Sequence, residues 1–151
     1  MFEFFVSINY FSIIISAIFY FILGAFWYCP IFGTLQLPFL VLPGAARQRE
    51  LQRNHIVISK WQDKEAFFKI IVTFFATLLA SFSMAYLVVM VNSATLLSGF
   101  LLGTVIAVGF SGVTLAVSYI WENRSLKLFI IDSLCPIIGI ITSAIIISVF
   151  R

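Results

Sequence analysis

Residues 128–150 read LFIIDSLCPIIGIITSAIIISVF, an apolar run long enough to cross a bilayer but interrupted by one acid, Asp132, and one proline, Pro136. Whether this run inserts decides between three membrane spans and four. Fourteen of its residues are Ile, Leu, Val or Phe. Each favours insertion by about 0.3–0.6 kcal/mol, about 6 kcal/mol together, against about 2.5–3.5 kcal/mol for a central Asp. The apolar side wins, and the run reads as a transmembrane helix.

Working outward, three more runs pass the same test. A helix rising 1.5 Å per residue needs about 20 apolar residues to cross the hydrocarbon. Ile8–Tyr28, Phe67–Val91 and Leu96–Ile120 qualify, and Leu128–Phe150 completes the set. The composition agrees: of 151 residues, 62% are hydrophobic and 10% charged. Soluble domains average about 25% charged residues, so this chain lacks the polar surface to coat a water-facing globule. The fold expected is all-α, a polytopic membrane protein whose four transmembrane helices form one bundle and one domain over residues 1–151.

The connections set the orientation. Asn92-Ser-Ala-Thr95 is a tight helical hairpin, and Trp121–Lys127 joins spans three and four. Residues 29–66 form the long loop, broken by Pro38, Pro43 and Gly44, with a candidate surface helix over Ala45–His55. Ser59 with Gln62 has the spacing of a capping box at the start of span two. These two longer connections, with Lys69 at the mouth of span two, hold eight Lys and Arg, whereas the opposite side holds only Arg151. Positive charge is retained in the cytoplasm, which predicts both termini outside and both longer loops inside. The membrane expected is a cell membrane, the bacterial inner membrane first. The basic cluster reads as topology and anionic headgroup contact, with no nucleic acid as partner.

Several functions are disfavoured by what the chain carries. Cys29 and Cys135 lie far apart with no CxxC and no Cys–His spacing, which argues against a disulfide scaffold, a metal site or a thiol oxidase. The expectation is no metal, no cofactor and no catalytic residue. Glu3 stands where a secretory signal carries a basic residue, and the first apolar run exceeds a signal core, so that run is expected to remain as a helix. His55 reads as a solvated loop residue, and the glycosylation sequon at Asn123 lies on the predicted cytoplasmic side.

Small residues mark the packing faces. Gly99, Gly103, Ala107 and Ser111 recur every fourth position on span three, starting with a GxxxG. Water does not drive membrane helices together, so close backbone approach through small residues does. Packing within the bundle and a homodimer through Gly99 and Gly103 both fit. Span one carries Ser12, Ser16, Tyr20, Gly24 and Tyr28 at four-residue spacing; span four carries Asp132, Pro136, Gly139 and Ser143. These stripes are expected to face each other or span three, with Gly24 and Gly139 as packing positions.

Asp132 stands apart, because an ionisable group inside a span must be compensated. Anchoring by nearby cations or the helix N-terminus is one role; direct binding or proton transfer is the other. Trp27, Tyr28, Trp61 and Trp121 fall at predicted cytoplasmic boundaries, where aromatic belts form. The same face receives Pro30 and the Asn123-Arg124 turn, so Trp27, Tyr28, Pro30, Asn123, Arg124 and Asp132 constitute the candidate functional site.

Three stretches carry a family resemblance: Asn9-Tyr10, Gly24–Gly33 (GAFWYCPIFG) and Trp121–Asp132 (WENRSLKLFIID). With Gly24, Trp27, Tyr28, Pro30, Phe32, Gly33, Arg124 and Asp132 in place, the chain resembles the small four-helix membrane proteins of domain-of-unknown-function family 1761. The resemblance implies four spans and brings no established activity. Departures are Cys29 where the family usually has Ser, Thr34-Leu-Gln36 where Lys and Trp are common, and Cys135-Pro136 in place of Tyr-His.

Three functions follow in order. The first is binding of a lipid, peptide or partner subunit at the cytoplasmic face. The second is a small transporter or channel subunit using Asp132, disfavoured by the absence of an acidic group in span one. The third is a membrane enzyme, disfavoured because the spans lack buried Arg and Glu.

Overall fold

The computed structural model describes residues 8–28, 64–122 and 126–150. Helix α1 runs Tyr10–Tyr28, α2 Lys64–Met90, α3 Leu96–Trp121 and α4 Leu126–Val149. All four are long and apolar enough to cross a membrane, and no strand occurs among the described residues. The chain is a multi-pass, all-helical membrane protein. Helices α2 and α4 begin at Lys64 and Leu126, a few residues before the apolar runs that announce them. The physical reason is that helical hydrogen bonding continues into the interfacial layer, where polar residues are at home.

Long-range contacts give the arrangement. Asn9, before α1, meets Phe150 after α4, and Trp27 near the end of α1 meets Ile131 near the start of α4, so these helices are antiparallel. Ser16 meets Ser81 and Phe21 meets Phe74, which makes α1 and α2 antiparallel too. Helix α4 is the hub and packs against all three others, whereas α3 leans chiefly on α4. Ile13, Met84, Ala85, Val88, Ala144 and Ile147 form the core at the end of the bundle that holds the α2–α3 turn. Outward faces stay apolar: Phe11, Phe110 and Ile120 are each about two-thirds or more exposed, a surface that hydrocarbon covers and water would not tolerate.

The α2–α3 hairpin is closed by short-range chemistry. Asn92 adopts φ 59°, and Ser93 N–H donates to Val88 O while Asn92 N–H donates to Val89 O. These are the two bonds of a Schellman ending, with Asn in the left-handed position that glycine usually fills. Thr95 then caps α3: its hydroxyl accepts from Ser98 N–H, and the Ser98 hydroxyl accepts from Thr95 N–H. Buried Ser93 reaches across to the Ser148 hydroxyl on α4 at 2.9 Å and ties the turn to the hub.

At the terminal edge one side chain secures two helix ends. Asn9 Oδ1 accepts from Phe11 N–H and starts α1, while its Nδ2 donates to Phe150 O at 2.7 Å beyond the end of α4. The capping box read at Ser59 and the surface helix read at Ala45–His55 lie outside the described residues.

The small-residue faces are used within the chain. A Cβ on Gly103 would sit 2.9 Å from both Ala144 Cβ and Ile141 Cα, and one on Gly99 would sit 2.9 Å from Ser148 Cβ. Both glycines therefore let α3 lie directly on α4. Ala107 is fully buried and Ser111 half-buried further along α3. Gly139 is packed hardest: a Cβ there would overlap the Tyr20 ring at 2.2 Å, so the stripes on α1 and α4 do face each other. Gly24 differs, since a Cβ there would meet nothing within 4 Å among the described residues.

Candidate functional site

Asp132 lies six residues into α4, about 9 Å or nearly two turns from its first residue at 1.5 Å per residue. That is deeper than the apolar run implied, because the helix begins at Leu126. The favourable field of a helix N-terminus fades within the first turn, so it does little for this carboxylate. Compensation comes from a neighbour instead. Tyr119, on the last part of α3, donates its phenolic hydroxyl to Asp132 Oδ2. Such a bond to a charged oxygen is about twice as strong as a neutral one.

The phenol is well held. Tyr119 is buried, and its ring packs edge-on against Phe129, one turn before Asp132 on α4, with centroids 5.7 Å apart. Asp132 itself is half-buried, whereas its partner is buried. One turn further into the bilayer lies the buried thiol of Cys135, and a turn beyond that Tyr20 rests on Gly139. Ser143 follows with a hydroxyl that is buried and has no hydrogen-bond partner among the described residues. A column of polar groups thus runs along α4 from Asp132 towards the buried Ser16–Ser81 pair between α1 and α2.

Trp27 closes the other side. Its indole N–H donates to Ile131 O at 3.2 Å, across the α1–α4 contact. An indole that served only the interfacial belt would turn its N–H to headgroups and water. This one is spent on the backbone carbonyl directly before Asp132. Trp121, in contrast, is almost fully exposed at the end of α3, as a belt residue is.

Of the six site residues expected, the structure brings Trp27 and Asp132 to one end of the bundle. The backbone of Tyr28 closes α1 beside Trp27. Pro30, Asn123, Arg124 and Trp61 lie outside the described residues. Tyr119, the hydrogen-bond partner of Asp132, is the residue that sequence reading missed. The nearest signal was its phenol at the same bilayer depth as Asp132 on the neighbouring span, which hydropathy does not weigh.

Chemically, the cluster offers a half-buried acid oriented by a phenol, with aromatic side chains nearby. It suits acceptance of hydrogen bonds or positive charge from a ligand. No set of three His, Cys, Asp or Glu side chains capable of holding a metal occurs among the described residues. An apolar groove of about 390 Å³ opens between α1 and α2, lined by Tyr10, Ile13, Phe75, Leu78 and Phe82, towards the opposite end of the bundle from Asp132.

No curated protein and no solved structure matches the chain. One family model does, over residues 11–148, and it spans all four helices together with the Trp27, Tyr119 and Asp132 cluster. The chain therefore belongs to the family described as Protein of unknown function (DUF1761).

Proposed function

We propose that this chain is a membrane-embedded binding protein whose working surface is the cytoplasmic end of the bundle, where it engages a lipid headgroup, a peptide or a partner subunit. The observation that carries the reading is the investment at that end: Trp27 from α1 bonds the Ile131 carbonyl, Tyr119 from α3 bonds Asp132 on α4, and Asp132 is only half-buried. A group needed only to anchor helices would be buried with its partner, because burial strengthens the bond and exposure weakens it. The excess of Lys and Arg in the connections on this side supports a cytoplasmic orientation and suits anionic headgroups around the site.

The second reading, a transporter or channel subunit using Asp132, draws on the polar column that continues from Asp132 past Cys135 and Tyr20 to Ser143. Hydroxyl and thiol groups in line through a span are what a proton path requires.

Photo-crosslinking in cells tests the binding reading. A photoreactive amino acid replaces Trp27, and a matched variant carries it at Ile22, which faces lipid on the same helix. A discrete adduct at position 27, absent at position 22 and lost when Asp132→Asn is added, is the expected outcome. The same lipid smear from both positions, unchanged by Asp132→Asn, contradicts it. Proton flux in proteoliposomes that disappears in Asp132→Asn with full retention of folded protein favours the second reading.

A further inference from the structure

Helix α3 is not α-helical throughout. Leu96–Ile106 and Val113–Trp121 are α, but Ala107–Gly112 (AVGFSG) is a π-helical segment. Such segments hold one residue more per turn than the α-helix and recur at functional sites. The residues of α3 that are buried are Gly99, Gly103 and Ala107 on one side of the segment's start and Tyr119 beyond it. Gly99, Gly103 and Tyr119 all meet α4, and the π segment packs there too.

The phase of the helix explains why. Tyr119 stands twelve positions after Ala107. In an unbroken α-helix turning about 100° per residue it would lie about 120° around from Ala107, pointing away from α4. One surplus residue taken up in a π turn sets the phase back by about 100° and leaves an offset of about 20°. The surplus is carried outward, where Val108, Gly109 and Phe110 are exposed and a Cβ on Gly109 would meet nothing within 4 Å.

We propose that the π segment Ala107–Gly112 is the positioning element of the candidate site: it absorbs one surplus residue so that Tyr119 reaches Asp132 on a helix whose other half is locked to α4 by Gly99 and Gly103. The inference rests on the Tyr119–Asp132 pairing and not on what the site binds, so it stands or falls separately from the proposed function. It carries an asymmetry that an ordinary helix lacks. Removing one residue between Ala107 and Tyr119 lets the segment relax to α and keeps Tyr119 in register. Adding one residue turns Tyr119 away by about 100°.

The test uses full-length chain with Cys29→Ser and Cys135→Ser. One reporter pair is Tyr119→Cys with Asp132→Cys, joined by a short bifunctional thiol reagent. The other is Ser93→Cys with Ser148→Cys, whose hydroxyls lie 2.9 Å apart before the π segment and report that the hairpin is docked. Three chains are compared in membranes: deletion of Gly109, insertion of one Ala after Val113, and both changes together. Deletion is expected to keep the 119–132 cross-link within about twofold, and insertion to reduce it by about tenfold or more with 93–148 unaffected, since a turn of about 100° carries the side chain to another face. The combined chain is expected to recover both. Loss of the 119–132 cross-link on deletion overturns the proposal, and so does an insertion that cross-links at the parental rate. If insertion abolishes both cross-links, the combined chain decides: recovery supports the phase argument and failure to recover overturns it.

Discussion

Gly103→Ala tests whether α3 is seated on α4 of its own chain. The new Cβ would lie 2.9 Å from Ala144 Cβ and 2.9 Å from Ile141 Cα, the second a backbone atom of a helix that also packs on α1 and α2. Ordinary contacts between carbons fall at about 3.5–4.0 Å, so the helices must separate by roughly half an ångström or more. Overpacking of this kind costs typically about 1–3 kcal/mol, a factor of roughly 5 to 150 in the folding equilibrium. Gly24→Ala is the matched control, because its Cβ enters open space and the change is expected within about 0.5 kcal/mol of the parent. Reversible unfolding of the purified chain in mixed micelles, followed by tryptophan fluorescence, gives both values, with size-exclusion chromatography run beside it. A Gly103→Ala chain as stable as Gly24→Ala refutes the packing argument. So does a defect seen only as loss of a dimer, since that would assign the glycines to a second copy.

Other expectations follow from the same geometry. Tyr119→Phe and Asp132→Asn, measured singly and together, are expected to show a coupling of about 1.5–3 kcal/mol, the range for hydrogen bonds to charged groups; additive effects would mean the pair contributes nothing. Asn92→Gly is expected to be nearly neutral and Asn92→Val clearly destabilising in thermal unfolding, because φ 59° suits Gly and excludes a β-branched residue. Thr95→Ala is expected to cost about 1 kcal/mol through loss of the α3 cap, and equal stability would discount the capping box. Asn9→Ala is expected to speed amide hydrogen exchange both in the first turn of α1 and at the end of α4, since one amide serves both ends; faster exchange at only one end would break that link.

What could be read from the sequence was what depends on length and polarity. Apolar runs of about 20 residues show the spans directly, because the bilayer imposes that length on any helix that crosses it. Asp132 stood out for the same reason, as a charge where charges are costly. Tyr119 did not, because its role depends on helix phase and not on composition. With α periodicity it belongs to the lipid face of α3, and only the π segment returns it to α4. Nothing in AVGFSG announces that irregularity beyond two glycines. Gly24 shows the opposite failure. It fits a four-residue stripe on α1, yet among the described residues no neighbour comes near it, since spacing along one helix says nothing about how closely the next approaches. Trp27 was legible as a boundary aromatic, but the direction of its N–H depends on the α1–α4 contact, which only the packed bundle defines.

The proposed orientation, with the end of the four-span chain that holds Trp27, Tyr119 and Asp132 in the cytoplasm, can be measured directly. Cys135 is buried and makes a poor reporter, so the cysteines are better placed at Ala94 and Glu122, both exposed at opposite ends of α3. In a background with Cys29→Ser and Cys135→Ser, a membrane-impermeant maleimide is applied to intact cells and to inverted vesicles. The expected result is labelling of Ala94→Cys in intact cells and of Glu122→Cys only in inverted vesicles. The reverse pattern would move the cluster to the outer face, and labelling of both from one side would contradict the four-span bundle itself.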